Sequence, residues 1–364
     1  MASLARNRAP PPARLGRLLE RGERAVAKIQ SVVVGAGGIS SAWFRALVAE
    51  KVEVAAVVDL ARDRAEKRIE EFKLRRAVAS DDLGRTLGRT CADFLVDLTV
   101  PEAHCAVTCA ALRAGLHVVG EKPMASSMAE ARRMVKASEA AGKLYMVSQS
   151  RRWNGTHEAL ARTVRTRRLG DLTTVNCDFF LGAHFGGFRD EMPSPLILDM
   201  AIHHFDLARM ISRKDAVSVY CEEFNPKGSW YKGDVAANAV FQMTGGVYFA
   251  YRGSWCAEGC DTSWNGNWRL IGTRGTILYE NSRAPTGELV AGRTGFSRPK
   301  KPIAVRPVAM KAGGMHGALR EMLRFLRTRR KPQCECHDNI KSLAMVLAAI
   351  ESSRKGRRVQ VRAL

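Results

Sequence analysis

The sequence predicts a two-domain α/β protein: a mostly parallel sheet covered by helices on both faces, then an α+β domain on a large, mainly antiparallel sheet. Three observations carry this. Short aliphatic strands alternate with helical patterns as far as residue 150. Beyond it strands follow one another more directly, some through glycine turns such as Thr244-Gly245-Gly246. And 364 residues exceed what one hydrophobic core usually serves.

The first domain is organised around residues 30–62. Val32-Val33-Val34 runs into Gly35-Ala36-Gly37-Gly38, after which a helical pattern continues through Trp43, Phe44, Leu47 and Val48. A second apolar run over 52–58 ends in Asp59, 24 residues after Gly35. Strand, glycine turn, helix, strand and acid is the order of a dinucleotide site. Gly35 makes the tight turn and Gly37 lets the backbone approach a pyrophosphate. The helix opening at Gly38 and Ile39 offers it unpaired N–H groups. The third small position is Ser40. Asp59 is placed to accept from the adenosine ribose hydroxyls and to repel a 2′-phosphate, so NAD is expected. Arg62 and Arg64 nearby leave NADP open. In the plainer alternative, Asp59 only caps the helix beginning near Ala61.

A helix over 61–73, a strand at 77–79, a helix start at Ser80-Asp81-Asp82-Leu83 and a strand over 94–98 follow. Thr99, with Pro101 and Glu102, resembles a capping box for a helix ending at Gly115. The strand at 117–119 leads into Gly120-Glu121-Lys122-Pro123, and a helix over 126–141 and a strand over 144–148 complete the domain. Gly35, Asp59, Thr99 and Lys122 all follow strands, so they converge on the rim where ligands of such sheets sit. Pro123 disfavours helical geometry at Lys122. The ammonium either hangs over the cleft, facing a substrate oxygen, or is solvated in a turn.

In the second domain the pattern gives a helix over 155–168 and a strand over 171–180. A loop with Gly182, His184, Gly186, Gly187, Pro193 and Pro195 precedes a helix over 196–211. Strands over 215–221, 235–243, 246–255, 267–271 and 276–279 follow, then a basic, proline-bearing loop over 281–315 and helices over 316–328 and 338–353. Asp199 and His203 are four apart and share a helix face, which Asp206 continues. A histidine beside a carboxylate titrates near neutrality with a fixed tautomer, as proton transfer requires. Such pairs are also common as structure. His204 faces elsewhere, and His184 is a candidate substrate contact. Trp230, Tyr251, Trp255, Trp264 and Trp268 are candidates either for stacking on a sugar ring or for core and interface packing.

The net charge of +22 sits at the ends. Residues 1–30 carry seven Lys or Arg against two acids, and residues 281–364 carry nineteen against five. No zinc-finger spacing or aromatic RNA-binding strand accompanies them, so specific nucleic-acid binding is not expected. No apolar stretch is long enough for a membrane helix. Nine irregularly spaced cysteines fit reduced thiols in the cytoplasm. Neither Cys256-x3-Cys260 nor Cys334-x-Cys336-His337 has strong metal-ligand spacing, and no metal is expected. The expected divisions are a basic extension (1–28), a dinucleotide-binding domain (29–150), a substrate-binding and oligomerisation domain (151–355) and a basic tail (356–364).

Taken together, Val34-Gly35-Ala36-Gly37-Gly38-Ile39, Glu121-Lys122-Pro123 and Asp199-x3-His203 resemble the glucose-fructose oxidoreductase / inositol dehydrogenase / rhizopine catabolism (Gfo/Idh/MocA) family. The resemblance spans about residues 29–355. It implies a Rossmann domain followed by an open-faced α/β domain, and hydride transfer between nicotinamide and a secondary hydroxyl or keto group of a sugar or cyclitol. Lys122 would contact nicotinamide and substrate, Asp199 would orient substrate and histidine, and His203 would be the acid/base. Arg151 and Arg152 match the family's arginine-rich stretch, with Arg152 expected at the substrate. The exposed face of the second sheet would pair subunits into a homodimer or homotetramer. A non-catalytic NAD(H)-binding sensor or accessory subunit is the alternative.

Overall fold

The computed structural model describes residues 28–363, so the expected basic extension lies outside the described residues except for Lys28. The first domain alternates β1 (Gln30–Val34), α1 (Ser40–Ala49), β2 (Glu53–Val58), α2 (Arg62–Glu71), β3 (Val78–Ser80), α3 (Leu83–Arg89), β4 (Phe94–Asp97), α4 (Pro101–Arg113), β5 (His117–Gly120), α5 (Met128–Ala141) and β6 (Tyr145–Val147). Its six strands lie in the order β3-β2-β1-β4-β5-β6, all parallel. The strand order reverses between β1 and β4, which opens the crevice where ligands of doubly wound sheets bind. Local chemistry sets the helix starts. The Asp82 carboxylate accepts the Arg85 N–H at 2.8 Å to open α3, and Ser127 caps α5.

The second domain adds α6 (Gly155–Arg165), β7 (Leu172–Phe180), the single turn α7 (Phe188–Glu191) and α8 (Ile202–Ser212). Strands β8 (Ala216–Phe224), β9 (Ala236–Met243), β10 (Tyr248–Ser254), β11 (Asn267–Gly272), β12 (Gly275–Tyr279), β13 (Thr286–Val290) and β14 (Lys300–Ala304) come next. Then α9 (Gly314–Thr328), α10 (Cys336–Lys355) and β15 (Val359–Gln360) close the described chain. The sheet has nine strands, ordered β14-β13-β12-β11-β7-β10-β9-β8-β15, and only β7–β10 pair in parallel. Helix α8 covers its inner face. Phe205 meets Phe241 and Tyr251 edge-on, with centroids 4.8 and 5.3 Å away.

Three features depart from the sequence expectation. The loop expected over 281–315 contains the β13–β14 hairpin, and the expected basic tail contributes β15 to the sheet. Both are sheet edges, where lysine, arginine and proline are tolerated and the apolar alternation that marks a strand is weak. The last helices also cross the expected boundary at residue 150. Ala318, Leu319, Met322 and Leu323 of α9 pack with Trp43, Phe44 and Phe94 of the first domain. Helix α10 gives Ile340 and Leu343 to one domain's core and Met345 and Ala349 to the other's. The chain therefore returns to clamp the two sheets together.

Candidate active site

The glycine turn separates two reasons for being glycine. Gly35 has φ +96°, and a Cβ there would lie 2.6 Å from the Leu98 carbonyl oxygen, so the fold itself requires it. A Cβ on Gly37 or Gly38 would meet nothing within 4 Å. Packing does not demand these two glycines, and the space over the turn is open to an occupant. They lead into α1, which has no side-chain cap and no acid in its first turn, leaving its N–H groups to an anion. Asp59 accepts the Ala36 N–H at 2.7 Å and the Ala61 N–H at 3.0 Å, so it braces the turn and the start of α2. Arg68 of α2 donates to the carbonyls of Ala36 and Gly37 at 3.3 and 3.2 Å. Arg62 is paired with Glu66 on the surface. Leu60 is 97% exposed, and Ile39 and Val100 are also exposed beside their strand ends. Orphan amides, a carboxylate at the end of β2 and a bare apolar rim suit a dinucleotide. Thr99 does not form the expected capping box: its hydroxyl donates to Asp97 at 2.6 Å, and Val100 precedes α4 without a side-chain cap.

Next on the rim, Trp43 of α1 donates to Glu121 at 2.7 Å, and the other Glu121 oxygen accepts the Lys122 N–H at 3.3 Å. Burial pushes the Glu121 carboxyl up, outweighing Trp43 and Lys122, which pull it down. The adjoining Lys122–Pro123 peptide is cis. The Lys122 ammonium crosses to the second domain, where it donates to the Asp199 carboxylate at 2.5 Å and to the Asp199 carbonyl at 2.8 Å. Residues Leu196–Ala201 form a π-helical turn rather than the expected continuous α-helix. Such turns are frequent at functional sites, and this one presents the Asp199 carbonyl to the lysine.

The other Asp199 oxygen accepts from Arg189 at 2.7 Å. Burial works to raise the Asp199 carboxyl, but Lys122 and Arg189 outweigh it and hold it below the ordinary value. Asp199 thus grips two cations instead of the His203 ring that its spacing suggested. The half-buried His203 has Nδ1 shielded and without a hydrogen-bond partner. Burial foremost, then Arg151, Lys122 and His204, drive its pKa well below the usual histidine value.

Arg152 departs from expectation most clearly. It is buried and forks onto Asp206 at 2.7 and 2.6 Å, with Asp338 at 2.8 Å. Asp206, expected on the Asp199 face, is spent on that network and on Ser342. It is Arg151 that lies near His203, its guanidinium donating to Trp264, to Asn265 at 3.1 Å and toward the Met200 sulfur at 3.7 Å. His184 is exposed, stacks on Trp230 with centroids 3.7 Å apart, and contacts Glu258 at 3.0 Å. Tyr251, Trp255 and Trp268 are core residues; Trp264 is 44% exposed beside Phe185. His204 is fully buried against Phe179 and Tyr251. Arg189 escaped sequence reading because it sits in the single turn α7, which follows Gly186-Gly187 and is too short to show a helical period. Elsewhere, ligand atoms of Glu335, Cys336 and His337 lie within 4.8 Å of one another. Both His337 ring nitrogens meet glutamates, however, and burial pushes the Cys336 thiol up to about 12.

A model of an oxidoreductase family with an NAD-binding Rossmann fold matches residues 29–149, and a Gfo/Idh/MocA C-terminal domain model matches residues 157–278. The chain is 25% identical over 340 residues to 1,5-anhydro-D-fructose reductase of Ensifer adhaerens, covering 90% of this chain and 97% of that one. An oxidoreductase from Agrobacterium radiobacter, solved with NAD+, L-tartaric acid and magnesium, superposes with a TM-score of 0.80 at 20% identity, covering 92% of this chain and 99% of that one. The WlbA dehydrogenase of Chromobactrium violaceum, solved with NADH and UDP-GlcNAcA, gives 0.77 at 22% identity, covering 95% and 99%. With both domains matched in order and the cradle of the first intact, the chain belongs to the Gfo/Idh/MocA family of NAD(P)-dependent oxidoreductases.

Proposed function

We propose that the protein transfers hydride between NAD and a secondary hydroxyl or keto group of a sugar, sugar derivative or cyclitol, with His203 as acid/base and Lys122 on the reacting oxygen. The observation that carries this reading is the crossing of Lys122 from the nucleotide domain to Asp199, one turn before His203. An ammonium has three donors. Two are used on Asp199, and the third serves a substrate oxygen, where it steadies the charge that develops as the carbinol is oxidised. His203, held neutral by its surroundings, accepts the hydroxyl proton while hydride leaves the same carbon and a carbonyl forms. Reduction reverses each transfer. The nicotinamide, when bound, supplies the two-electron acceptor. Gly35, Gly37, Gly38 and Ile39 would seat its pyrophosphate. Asp59 would take the ribose, Thr99 and Glu121 would border the nicotinamide side, and Arg62 would lie outside the pocket. The Asp59 charge favours NAD over NADP.

The names borne by relatives, a sugar reductase and a sugar-nucleotide dehydrogenase, support a polyhydroxylated substrate. Tyr220, Val240 and Tyr248 stand exposed on neighbouring strands of the large sheet's outer face, which supports pairing of two copies there. All nine cysteines are unpaired, which supports the cytoplasm, and no helix among the described residues is long and apolar enough to cross a membrane. The test is turnover of a polyol and keto-sugar panel with both nucleotides. NADH formation or consumption with at least one member is expected; tight NAD binding with no turnover of any member would overturn the enzymatic reading in favour of a sensor.

A further inference from the structure

One guanidinium, that of Arg151, has no part in the proposed hydride transfer. Arg151 lies in the short turn Ser150–Arg152 just beyond the edge strand β6, whose Val147 pairs with Gly120 just before Glu121-Lys122. It therefore stands beside Lys122 on the same rim. Its side chain contacts only neutral groups: the Trp264 carbonyl, the Asn265 amide oxygen and the Met200 sulfur. Among the described residues no carboxylate lies within ion-pair distance of it. Its neighbour Arg152 shows the contrast, for the same short turn sends that guanidinium to Asp206 and Asp338. Burial lowers the Arg151 pKa to about 10, and the ionisable groups around it are Cys177, Tyr251, Tyr279 and the imidazoles of His157, His203 and His204 rather than acids. The wider site repeats the imbalance, since Lys122 and Arg189 share the single carboxylate of Asp199.

An arginine partly withdrawn from water without a counter-ion is costly, and its planar fork matches a carboxylate better than any neutral group. We propose that Arg151 is a specificity-determining residue that binds an acidic group on the substrate, so the preferred substrates are polyhydroxy acids carrying a carboxylate, such as aldonates or uronates, rather than neutral polyols. The position follows from the fold: the acid lies between Met200, Trp264 and Asn265 while the carbinol faces Lys122 and His203. This rests on the dehydrogenase reading for the place of the carbinol, but the charge recognition is testable without turnover.

The experiment is calorimetric titration of the full chain saturated with NADH, comparing D-galactonate with its neutral counterpart galactitol. A charge-assisted fork predicts a preference for the acid of about tenfold or more. Arg151→Met abolishes that preference and Arg151→Lys keeps part of it, while NADH affinity is unchanged in both. The wild-type preference also shrinks as salt is raised, which keeps the test decisive if Arg151→Met fails to fold. Equal binding of acid and polyol by the wild type, a preference that survives Arg151→Met, or one indifferent to salt would each overturn the proposal. An intact acid preference with no turnover of either compound class would leave Arg151 as the anion site and sink the dehydrogenase reading instead.

Discussion

At the scale of single residues, the site is a set of charges whose partners decide their roles. His203 has its folded pKa lowered, so the neutral base persists on acidification through the ordinary histidine range near 6.5. The pH profile of kcat/KM for oxidation is expected to hold level through that range and to fall only at lower pH. A limb centred near 6.5 would show an ordinary, solvated imidazole. Lys122→Met is expected to lose turnover by about 10²–10³-fold, as for removal of one charge-stabilising donor, with NAD affinity little changed in a binding titration. Asp59 carries two backbone N–H bonds as well as its proposed ribose contact. Asp59→Ala should accordingly weaken NAD binding and narrow the NAD-to-NADP preference, measured as the ratio of the two dissociation constants. Sequence singled these residues out because each type has few ways to serve where it stands. It misassigned Arg152 and Asp206 because helix spacing tells which side chains share a face, not which remote partner claims them.

At the scale of elements, the turn between β1 and α1 offers a paired test. Gly35→Ala is destabilising, because φ +96° and the Leu98 carbonyl leave no place for a methyl group. Gly37→Val faces open space, so thermal unfolding should move little while NAD binding is lost. If Gly37→Val bound NAD as tightly as the wild type, the nucleotide would not lie over this turn. The strand–turn–helix was legible in sequence because a β-branched run, glycines and a 3.6-residue period follow one another with little ambiguity. The π-helical turn at Leu196–Ala201 was not, since its apolar pattern is also that of an α-helix, and the extra residue is fixed by tertiary contacts such as Lys122 on the Asp199 carbonyl. The β13–β14 hairpin was hidden for a related reason. Its edge position relaxes the alternation by which strands are recognised.

At the scale of the whole molecule, the proposed function depends on two domains holding Lys122 and His203 at a common point. The buried Arg152–Asp206–Asp338 network ties β6, α8 and α10 together behind that point. Arg152→Met takes the forked partner from Asp206, leaving it Ser342 and Arg209 at 3.9 Å while Asp338 keeps Arg209, and should cost about 3 kcal/mol in denaturant unfolding, the low end of the range for breaking a buried ion pair. On the outer sheet face, Val240→Glu should shift the protein toward monomer in sedimentation without unfolding it, as Val240 lies exposed between Tyr220 and Ala250. The two sheets and their order were readable from strand spacing. The return of α9 to the first domain was not, because an amphipathic stripe does not specify which sheet it will cover. Whether His203 moves the proton is read from kcat for His203→Ala on the best substrate of the panel, with NAD affinity measured in parallel. Loss of about 10²–10⁴-fold in turnover with NAD still bound is the expected result. Turnover equal to that of the wild type would contradict the account.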